Sequence, residues 1–116
     1  MSGIDPSLAP AIIAYVAATN AGDSSRAASI FAARAQVFDE REHRVGPEEI
    51  ARWMDDTGRR YRPRLEILGV QQRTGKVLLD NLISGDFPGS PQALRYTFRL
   101  DPQGKIERLD ISAGHS

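Results

Sequence analysis

Apolar residues recur at helical spacing in the first third of the chain. A first helix can begin within 5–7, although Pro10 leaves its starting point open. One side of this helix is apolar and carries Ile12, Ile13, Tyr15, Val16 and Thr19. The segment 20–22 ends it, and Asp23 can cap a second, short helix that carries Ala27, Ile30 and Phe31. The pattern therefore predicts a helical hairpin.

A third helix is marked at its start and along its buried side. Pro47 suits the first helical position, and the acids Glu48 and Glu49 suit the first turn. A single apolar stripe follows at helical spacing, formed by Ile50, Trp53, Met54, Thr57 and Tyr61. The predicted outer face carries two ion pairs one turn apart, which are Arg52 with Asp56 and Asp55 with Arg59.

Strand patterns lie on both sides of the third helix. A strand that ends at Asp39 and a short second strand form a hairpin before it, and from Arg62 onward the apolar period changes to two. This period predicts four main strands at 64–70, 77–83, 94–100 and 106–111. We therefore predict an α+β fold in which residues 1–116 form one domain. A cone-shaped, curved antiparallel sheet of about four main strands plus the short hairpin packs against three helices of the N-terminal half.

Composition narrows the classes of protein that fit. Among the 116 residues, fifteen basic residues balance fifteen acidic ones, so no strong field attracts nucleic acid or a membrane surface. The absence of cysteine excludes disulfides and a cysteine nucleophile, and it favours a cytoplasmic location. The apolar segment 8–18 lacks a preceding basic region and is too short to span a bilayer, so we interpret it as a buried helix.

Asp39 is the first candidate for chemistry. It shares a strand face with Ala35 and Val37, and if that face is concave, the carboxylate points into an apolar wedge. There its pKa should rise, which suits a base that removes a proton next to a carbonyl. The alternative is a turn aspartate that closes the hairpin through Glu40 and Arg41.

Two tyrosines are predicted to be buried with Asp39. Tyr15 lies on the apolar side of the first helix, and Tyr96 lies between Leu94 and Phe98 on an inward-facing row. A buried phenol needs a hydrogen-bond partner, which can be a ligand oxygen, a backbone carbonyl or the other tyrosine. Either tyrosine alone is compatible with core packing, but two phenols and a carboxylate in one wedge exceed what packing requires.

Further residues are candidates for the pocket wall. Trp53 can pack against a flat ligand or against the sheet, and Leu109 shares a strand face with Ile111. Phe87 belongs to a rigid turn that can reach the mouth of the cone, and His43 can relay protons to Asp39 or lie exposed on the hairpin. Because no cluster of His, Asp and Glu has the spacing of metal ligands, we expect no metal. The leading function considered below also needs no cofactor.

Four segments carry a resemblance to known proteins. They are YVAATNAGD at 15–23, AQVFD at 35–39, GPEEIARW at 46–53 and GDFPGSP at 85–91. In this order of helices and strands, they resemble the nuclear transport factor 2-like superfamily, and most of all its branch of ketosteroid isomerases and SnoaL-like polyketide cyclases. The last two segments look like a bacterial subgroup of that branch. The resemblance covers about residues 8 to 112.

The resemblance implies a role for three residues. Ketosteroid isomerases use a helix tyrosine and a protonated aspartic acid as an oxyanion hole, and an aspartate near the end of the first strand as the base. By position, the helix tyrosine falls on Tyr15 and the base on Asp39. The second donor falls on Tyr96, because the Phe98-Arg99 pair that follows matches the family; tyrosine there departs from the usual acid.

Three functions are consistent with this sequence. The first is cofactor-free proton transfer, an isomerisation or cyclisation, on a small hydrophobic carbonyl compound held in an apolar pocket. The second is a non-catalytic module for ligand binding or dimerisation. The third is an epoxide hydrolase, which on this fold needs a second inward carboxylate; Asp80 and Asp110 are the candidates. The resemblance also implies a homodimer through the outer sheet face, which carries Arg64, Glu66, Arg95, Thr97 and Arg99.

Overall fold

A computed structural model describes residues 8–113 and has the predicted order of helices and strands. The helices are α1 (Pro10–Ala21), α2 (Ala27–Ile30) and α3 (Pro47–Tyr61). The strands are β1 (Phe31–Asp39), β2 (Glu42–Val45), β3 (Arg64–Arg73), β4 (Lys76–Ser84), β5 (Gln92–Leu100) and β6 (Ile106–Ala113). The helices pack against one face of a curved, unclosed sheet, which confirms the predicted α+β cone.

All six strands belong to one sheet, in the order β2-β1-β6-β5-β4-β3. Four of the five pairings are antiparallel, as predicted, whereas β1 and β6 pair in parallel with Val37 opposite Leu109. Register shifts occur in β3, between β1 and β6, and near the end of β5, and such irregularities bend a sheet. The parallel pair places the end of β1, and therefore Asp39, next to the middle of the sheet.

Helix α1 begins at Pro10, which occupies its first position, whereas the predicted start at 5–7 lies outside the described residues. Its C-terminal end is attached to the sheet by Asn20. The Asn20 amide donates to the backbone carbonyl of Leu65 at 3.2 Å and accepts from the backbone N–H of the same residue at 2.7 Å. Two bonds to one backbone unit fix the rotation of the helix and therefore the direction in which Tyr15 points.

The predicted second helix is shorter than expected. Asp23 caps a 3-10 turn by accepting from the backbone N–H of Ser25, as predicted, and α2 then spans only four residues. Phe31 was predicted to continue this helix, but its backbone is extended and it begins β1 instead. The extended conformation buries its ring against that of Tyr15, with the centroids 5.9 Å apart and the planes nearly perpendicular.

Helix α3 follows the prediction closely. Pro47 is at its start, and Ile50, Trp53 and Met54 are buried. On the outer face Asp55 and Arg59 form the predicted pair at 2.7 Å, whereas Asp56 pairs with Arg60 at 2.9 Å and not with Arg52 as predicted. Both observed pairs have the acid one turn before the base, the more favourable orientation in a helix dipole. None of the helices in residues 8–113 is long and apolar enough to cross a membrane.

The two faces of the sheet differ in chemistry. The helix side holds the buried strand residues, which include Ala35, Val37, Leu79, Tyr96, Phe98 and Leu109. The outer side carries ion pairs between Asp80 and Arg95 on adjacent strands and between Arg108 and Asp110, each with a shortest distance of 2.9 Å. Asp39 lies on the helix side, since it continues the row of Ala35 and Val37.

Candidate functional site

A cavity of about 410 Å³ lies between the helix side of the sheet and the helices α1 and α3. One part of its wall is apolar and is formed by Met54, Ile83, Leu94 and Ile111. Its polar groups include Asp39, Tyr15 and Tyr96, and Asp23, Glu40 and Thr57 also belong to its lining. An apolar wall with a few convergent polar groups is typical of sites for small organic ligands.

Asp39 is partly buried at the end of β1, and its carboxylate accepts a hydrogen bond from the indole N–H of Trp53 at 3.2 Å. Burial raises the pKa of Asp39, and the nearby charge of Glu40 raises it further. The Trp53 hydrogen bond, the charge of Arg44 and the backbone N–H of Glu40 act in the opposite direction and lower this pKa, but burial prevails. The result is a carboxylate that faces the cavity and is a stronger base than an exposed aspartate.

Tyr15 and Tyr96 are buried side by side, with ring centroids 6.1 Å apart, and both line the cavity. Burial raises the pKa of both phenols above the ordinary value, and the Asp39 charge raises both further. The interaction between their two hydroxyl groups lowers the pKa of Tyr15 and raises that of Tyr96. The Thr19 hydroxyl also lowers the pKa of Tyr15. Both phenols therefore stay neutral at physiological pH, the form that can donate a hydrogen bond.

The remaining predicted pocket residues lie in different places. Trp53 and Phe87 line the cavity, whereas Leu109 is fully buried in the core on the same face of the sheet. His43 is exposed and pairs in register with Phe38, on the side of the hairpin opposite to Asp39. Its ring packs on that of Phe38 with a centroid distance of 4.8 Å, so we leave His43 out of the proposed site.

The loop that carries Phe87 is attached firmly to the end of α3. The backbone N–H of Asp86 donates to the carbonyl of Tyr61 at 2.6 Å, and the rings of Phe87 and Tyr61 pack edge to face at 5.9 Å. A Cβ at Gly85 would lie 2.4 Å from that carbonyl, so only glycine allows this approach. The loop is thus a fixed part of the cavity wall.

Sequence reasoning missed Arg44, which contacts Asp39 from behind. Its guanidinium donates to the backbone carbonyl of Asp39 at 2.6 Å and lies over the Trp53 ring, 5.9 Å from the centroid. The hairpin turn places it there, because Glu40 and Arg41 both adopt positive φ angles, 53° and 63°. That combination marks a two-residue type I′ turn, whose usual sequence signal is Asn-Gly. Because Glu40 and Arg41 stand at these positions instead, the sequence does not reveal the register in which β1 and β2 pair.

Sequence reasoning also missed Asp23 as a residue of the cavity lining and Asn81 as a buried polar group of the sheet. Asp23 lines the cavity, although its carboxylate already caps the 3-10 turn. Asn81 is 1% exposed on the inward face of β4, and its Oδ1 has no hydrogen-bond partner within residues 8–113. The alternation of Val77, Leu79 and Asn81 along one strand face was the available signal for this inward amide. Across the same residues, no group of three His, Asp or Glu side chains could hold a metal ion.

Solved structures with a similar fold include a candidate polyketide cyclase from Sinorhizobium meliloti. It is 31% identical to this chain, covers 90% of it and 95% of its own length, and has a TM-score of 0.85. A protein with a ketosteroid isomerase-like fold from Catenulispora acidiphila, solved in complex with trimethylamine, is 18% identical over 94% of this chain and 89% of its own, with a TM-score of 0.79.

A third structure is an epoxide hydrolase/cyclase-like enzyme with a role in pyran ring formation in the polyether salinomycin. It is 16% identical over 90% of this chain and 88% of its own, with a TM-score of 0.72. At their low identity, the second and third structures are evidence for a shared fold alone. Neither a family model nor a curated protein matches the chain.

Proposed function

Because the chain belongs to the nuclear transport factor 2-like superfamily, we propose that its cavity binds a small hydrophobic carbonyl compound and catalyses proton transfer on it without a cofactor. The reaction class is isomerisation or aldol-type cyclisation. In this proposal Asp39 is the base, and Tyr15 and Tyr96 donate hydrogen bonds to the oxygen that becomes negative.

One observation supports the proposal above all others: the Asp39 carboxylate and the Tyr15 and Tyr96 phenols line the same cavity. Asp39 takes a proton from the carbon next to the carbonyl, and the electron pair of that C–H bond moves onto the carbonyl oxygen. The two phenols stabilise the resulting enolate, because their hydrogen bonds strengthen as charge develops. Return of the proton from Asp39 to another carbon gives isomerisation. In cyclisation the enolate attacks a second carbonyl of the same molecule, and the resulting alkoxide takes the proton back from Asp39.

The cavity suits a compact ring compound. Its volume of about 410 Å³ is at the lower end of the range for small-ligand sites. The flat side chains of Trp53 and Phe87 and the apolar wall would exclude water from the reacting carbon, which strengthens the electrostatic contribution of the phenols. Expulsion of water by a ligand would also raise the basicity of Asp39 further.

The test is exchange of a ketone's α-protons with solvent deuterium, because it requires proton abstraction alone and no knowledge of the physiological substrate. We would follow 2-tetralone in D₂O by proton NMR with wild type, Tyr15→Phe and Asp39→Asn. We expect wild type to accelerate exchange over buffer, Asp39→Asn to abolish the acceleration, and Tyr15→Phe to reduce it about 10²- to 10³-fold.

The matched control for Asp39→Asn is Asp56→Asn, which removes an exposed carboxylate of α3 that pairs with Arg60. It should exchange protons at the wild-type rate. If wild type bound the ketone without accelerating exchange, the non-catalytic ligand-binding module would become the better interpretation.

Epoxide hydrolysis has less support. The two candidates for its second carboxylate, Asp80 and Asp110, pair with Arg95 and Arg108 on the outer face of the sheet. There they are directed away from the cavity that Asp39 lines.

The outer sheet face supports a further part of the proposal, a homodimer. In the described residues, this face combines the two ion pairs with partly buried apolar side chains such as Leu78 and Leu82. A mixed surface of this kind is typical of subunit interfaces. The cytoplasmic location predicted from the cysteine-free sequence is also part of the proposal.

A further inference from the structure

Three side chains from three elements meet at the end of β1. Asp39 comes from β1, Arg44 from β2 and Trp53 from α3. The Trp53 indole donates to Oδ2 of Asp39 at 3.2 Å, and the Arg44 guanidinium donates to the Asp39 backbone carbonyl at 2.6 Å. Arg44 also lies over the Trp53 ring, so each of the three contacts the other two.

We propose that Trp53 and Arg44 are positioning residues for Asp39: Trp53 holds Oδ2, Arg44 holds the backbone, and Oδ1, which no side chain within residues 8–113 holds, is the atom that receives the substrate proton. The inference deepens the proposed function and rests on it. It assigns the two carboxylate oxygens to different tasks.

The assignment of the oxygens follows from what an indole can do. The Trp53 N–H is a donor only, so it can hold an ionised oxygen but can never accept a proton from it. Oδ2 is therefore engaged in the resting state. When the substrate C–H bond breaks, the new O–H bond forms at Oδ1, the electron pair moves onto the carbonyl oxygen, and Oδ2 keeps its hydrogen bond to Trp53.

Arg44 holds the backbone of Asp39 and one face of the indole. Its side chain is only 17% exposed, and its outward pairing with Glu42 is loose, at 3.6 Å. A planar guanidinium can bond to a carbonyl in its plane while its face stacks on an aromatic ring, which an ammonium group cannot do as well. Arg44 therefore fixes the distance between β1 and α3 at the point where the Trp53–Asp39 bond forms.

The turn that follows Asp39 has a strained backbone, which supports a positioning role for these contacts. Glu40 and Arg41 are consecutive non-glycine residues in the left-handed region, with φ angles of 53° and 63°. Such strain is found where surrounding contacts hold the backbone in place, and it occurs often at functional sites. In this protein the Arg44 bond to the carbonyl of Asp39, directly before the turn, holds it together with the pairing of β1 and β2.

The charged and titratable groups around Asp39 act in opposite directions. Glu40 from the turn and the phenols of Tyr15 and Tyr96 from α1 and β5 lie on the cavity side. Trp53 from α3 also lines the cavity, whereas Arg44 from β2 lies outside its lining. The backbone N–H of Glu40 is a further donor to Asp39 that lowers its pKa. Because Trp53 and Arg44 favour the ionised carboxylate, removing either should raise the Asp39 pKa above its wild-type value.

The experiment measures the Asp39 pKa by NMR titration of ¹³Cγ-labelled aspartate, with Asp39→Asn to assign the resonance. We expect Trp53→Phe, which keeps the aromatic packing and loses the donor, to raise the pKa. Arg44→Met should raise it too, and Arg44→Lys should restore part of the wild-type value. Arg59→Met removes an exposed arginine of α3 and serves as the matched control, which should titrate as wild type.

The second readout is the pH dependence of 2-tetralone exchange, which should shift upward with the Asp39 pKa in Trp53→Phe, a shift that a loss of packing alone would not produce. An unchanged Asp39 pKa in folded Trp53→Phe and Arg44→Met would overturn the positioning role. With that result, the proposed function would still stand as long as wild type accelerates exchange. Failure of wild type to accelerate exchange, in contrast, would overturn the proposed function and this inference together.

Discussion

At the scale of single residues, the site depends on how burial changes three ionisable groups. Burial raises the pKa of Asp39 and makes it a better base, while the same effect keeps Tyr15 and Tyr96 neutral. A base and two donors therefore coexist in one cavity without metal or cofactor in the proposed chemistry. The arrangement costs folding free energy, since a partly buried carboxylate must remain charged near neutral pH.

This cost predicts how stability depends on pH. Because the Asp39 pKa is higher in the folded than in the unfolded chain, the folded state binds more protons between the two values. The contribution of Asp39 to stability is thus fully present below its unfolded value of about 3.8 and is lost as pH rises through the folded pKa. We expect Asp39→Asn to raise the thermal midpoint at pH 7 but not at pH 3.5.

Scanning calorimetry at the two pH values measures this difference. Asp56→Asn, on the exposed face of α3, is the control and should show no gain at pH 7. A loss of stability in Asp39→Asn at pH 7 would mean that the ionised carboxylate stabilises the fold, and the predicted folding cost of its burial would be wrong.

Replacing either of two asparagines with leucine should change the free energy of unfolding, in opposite directions. The buried Asn81 amide leaves its Oδ1 unpaired within the described residues, whereas Asn20 makes two bonds to the Leu65 backbone. We expect Asn81→Leu to stabilise the protein by about 1–2 kcal/mol, since it removes an unsatisfied buried group. Asn20→Leu should destabilise it by about 1–3 kcal/mol, since it leaves backbone groups unpaired.

Urea unfolding of the two variants beside wild type measures both changes. Destabilisation by Asn81→Leu would show that the amide has a partner in solution, such as a buried water that spans it and the cavity wall.

At the scale of elements, the local patterns predicted most of the architecture. The stripe on α3 and the period of two in β3 to β6 follow directly from side-chain spacing, and both are confirmed. The parallel pairing of β1 with β6 could not be predicted, since it joins residues about 70 positions apart and produces no pattern in the local sequence. Phe31 was predicted on a helix because an aromatic residue at helical spacing fits either a helix end or a buried strand start.

The candidate site likewise contains residues that the sequence predicted and one that it did not. Tyr15, Tyr96 and Asp39 were found from the faces of their elements together with the family resemblance, and their roles stay predictions. The position of Arg44 could not be found, because the β1–β2 turn consists of Glu40 and Arg41 and lacks the glycine that usually marks a type I′ turn. That turn is held by tertiary contacts of Asp39, which cannot be predicted from local sequence.

The strained turn predicts a gain from glycine at one position. Arg41 is in the left-handed region, which costs a non-glycine residue about 1–2 kcal/mol, and part of this is offset by the greater chain entropy of glycine. We expect Arg41→Gly to stabilise the protein by about 0.5–1 kcal/mol. The same replacement at Arg59, in the right-handed helix α3, should destabilise it by about 1 kcal/mol.

Both values can be read from chemical denaturation of the two single variants. Equal destabilisation by Arg41→Gly and Arg59→Gly would contradict the strained type I′ turn, and with it the role of the Arg44 contact.

At the scale of the whole molecule, the chain separates a cavity from a broad outer face. The fifteen acidic and fifteen basic residues balance, so association depends on shape and apolar contact more than on long-range charge. The proposed homodimer would bury the outer sheet face and leave each cavity on the opposite side, beside α1 and α3. Two independent sites per dimer follow from this arrangement.

The dimer predicts the effect of a charge placed on this face. Leu82 is partly buried on the outer face of β4, and Leu82→Glu would place an unpaired carboxylate in the proposed interface. We expect sedimentation velocity to give twice the 12.8 kDa chain mass for wild type and the single mass for Leu82→Glu. Ala28→Glu, on the exposed side of α2, should remain dimeric. A monomeric wild type would contradict the dimer.

The central claim is that Asp39, Tyr15 and Tyr96 form one polar site inside the cavity, and Trp53 offers a direct reporter of it. Trp53 is the only tryptophan in the chain and lines the cavity, so a ligand that enters should change its fluorescence. The measurement is a titration with 4-nitrophenol, a flat mimic of an enolate, in wild type, Tyr15→Phe and Asp39→Asn.

We expect saturable one-to-one binding to wild type. Tyr15→Phe should weaken it about tenfold or more, the usual effect of losing a hydrogen bond to a charged oxygen. Asp39→Asn should strengthen it, because it removes a negative charge beside the phenolate. Equal affinities in all three proteins, or no binding to any of them, would contradict a shared site and leave Asp39 a residue of the hairpin turn.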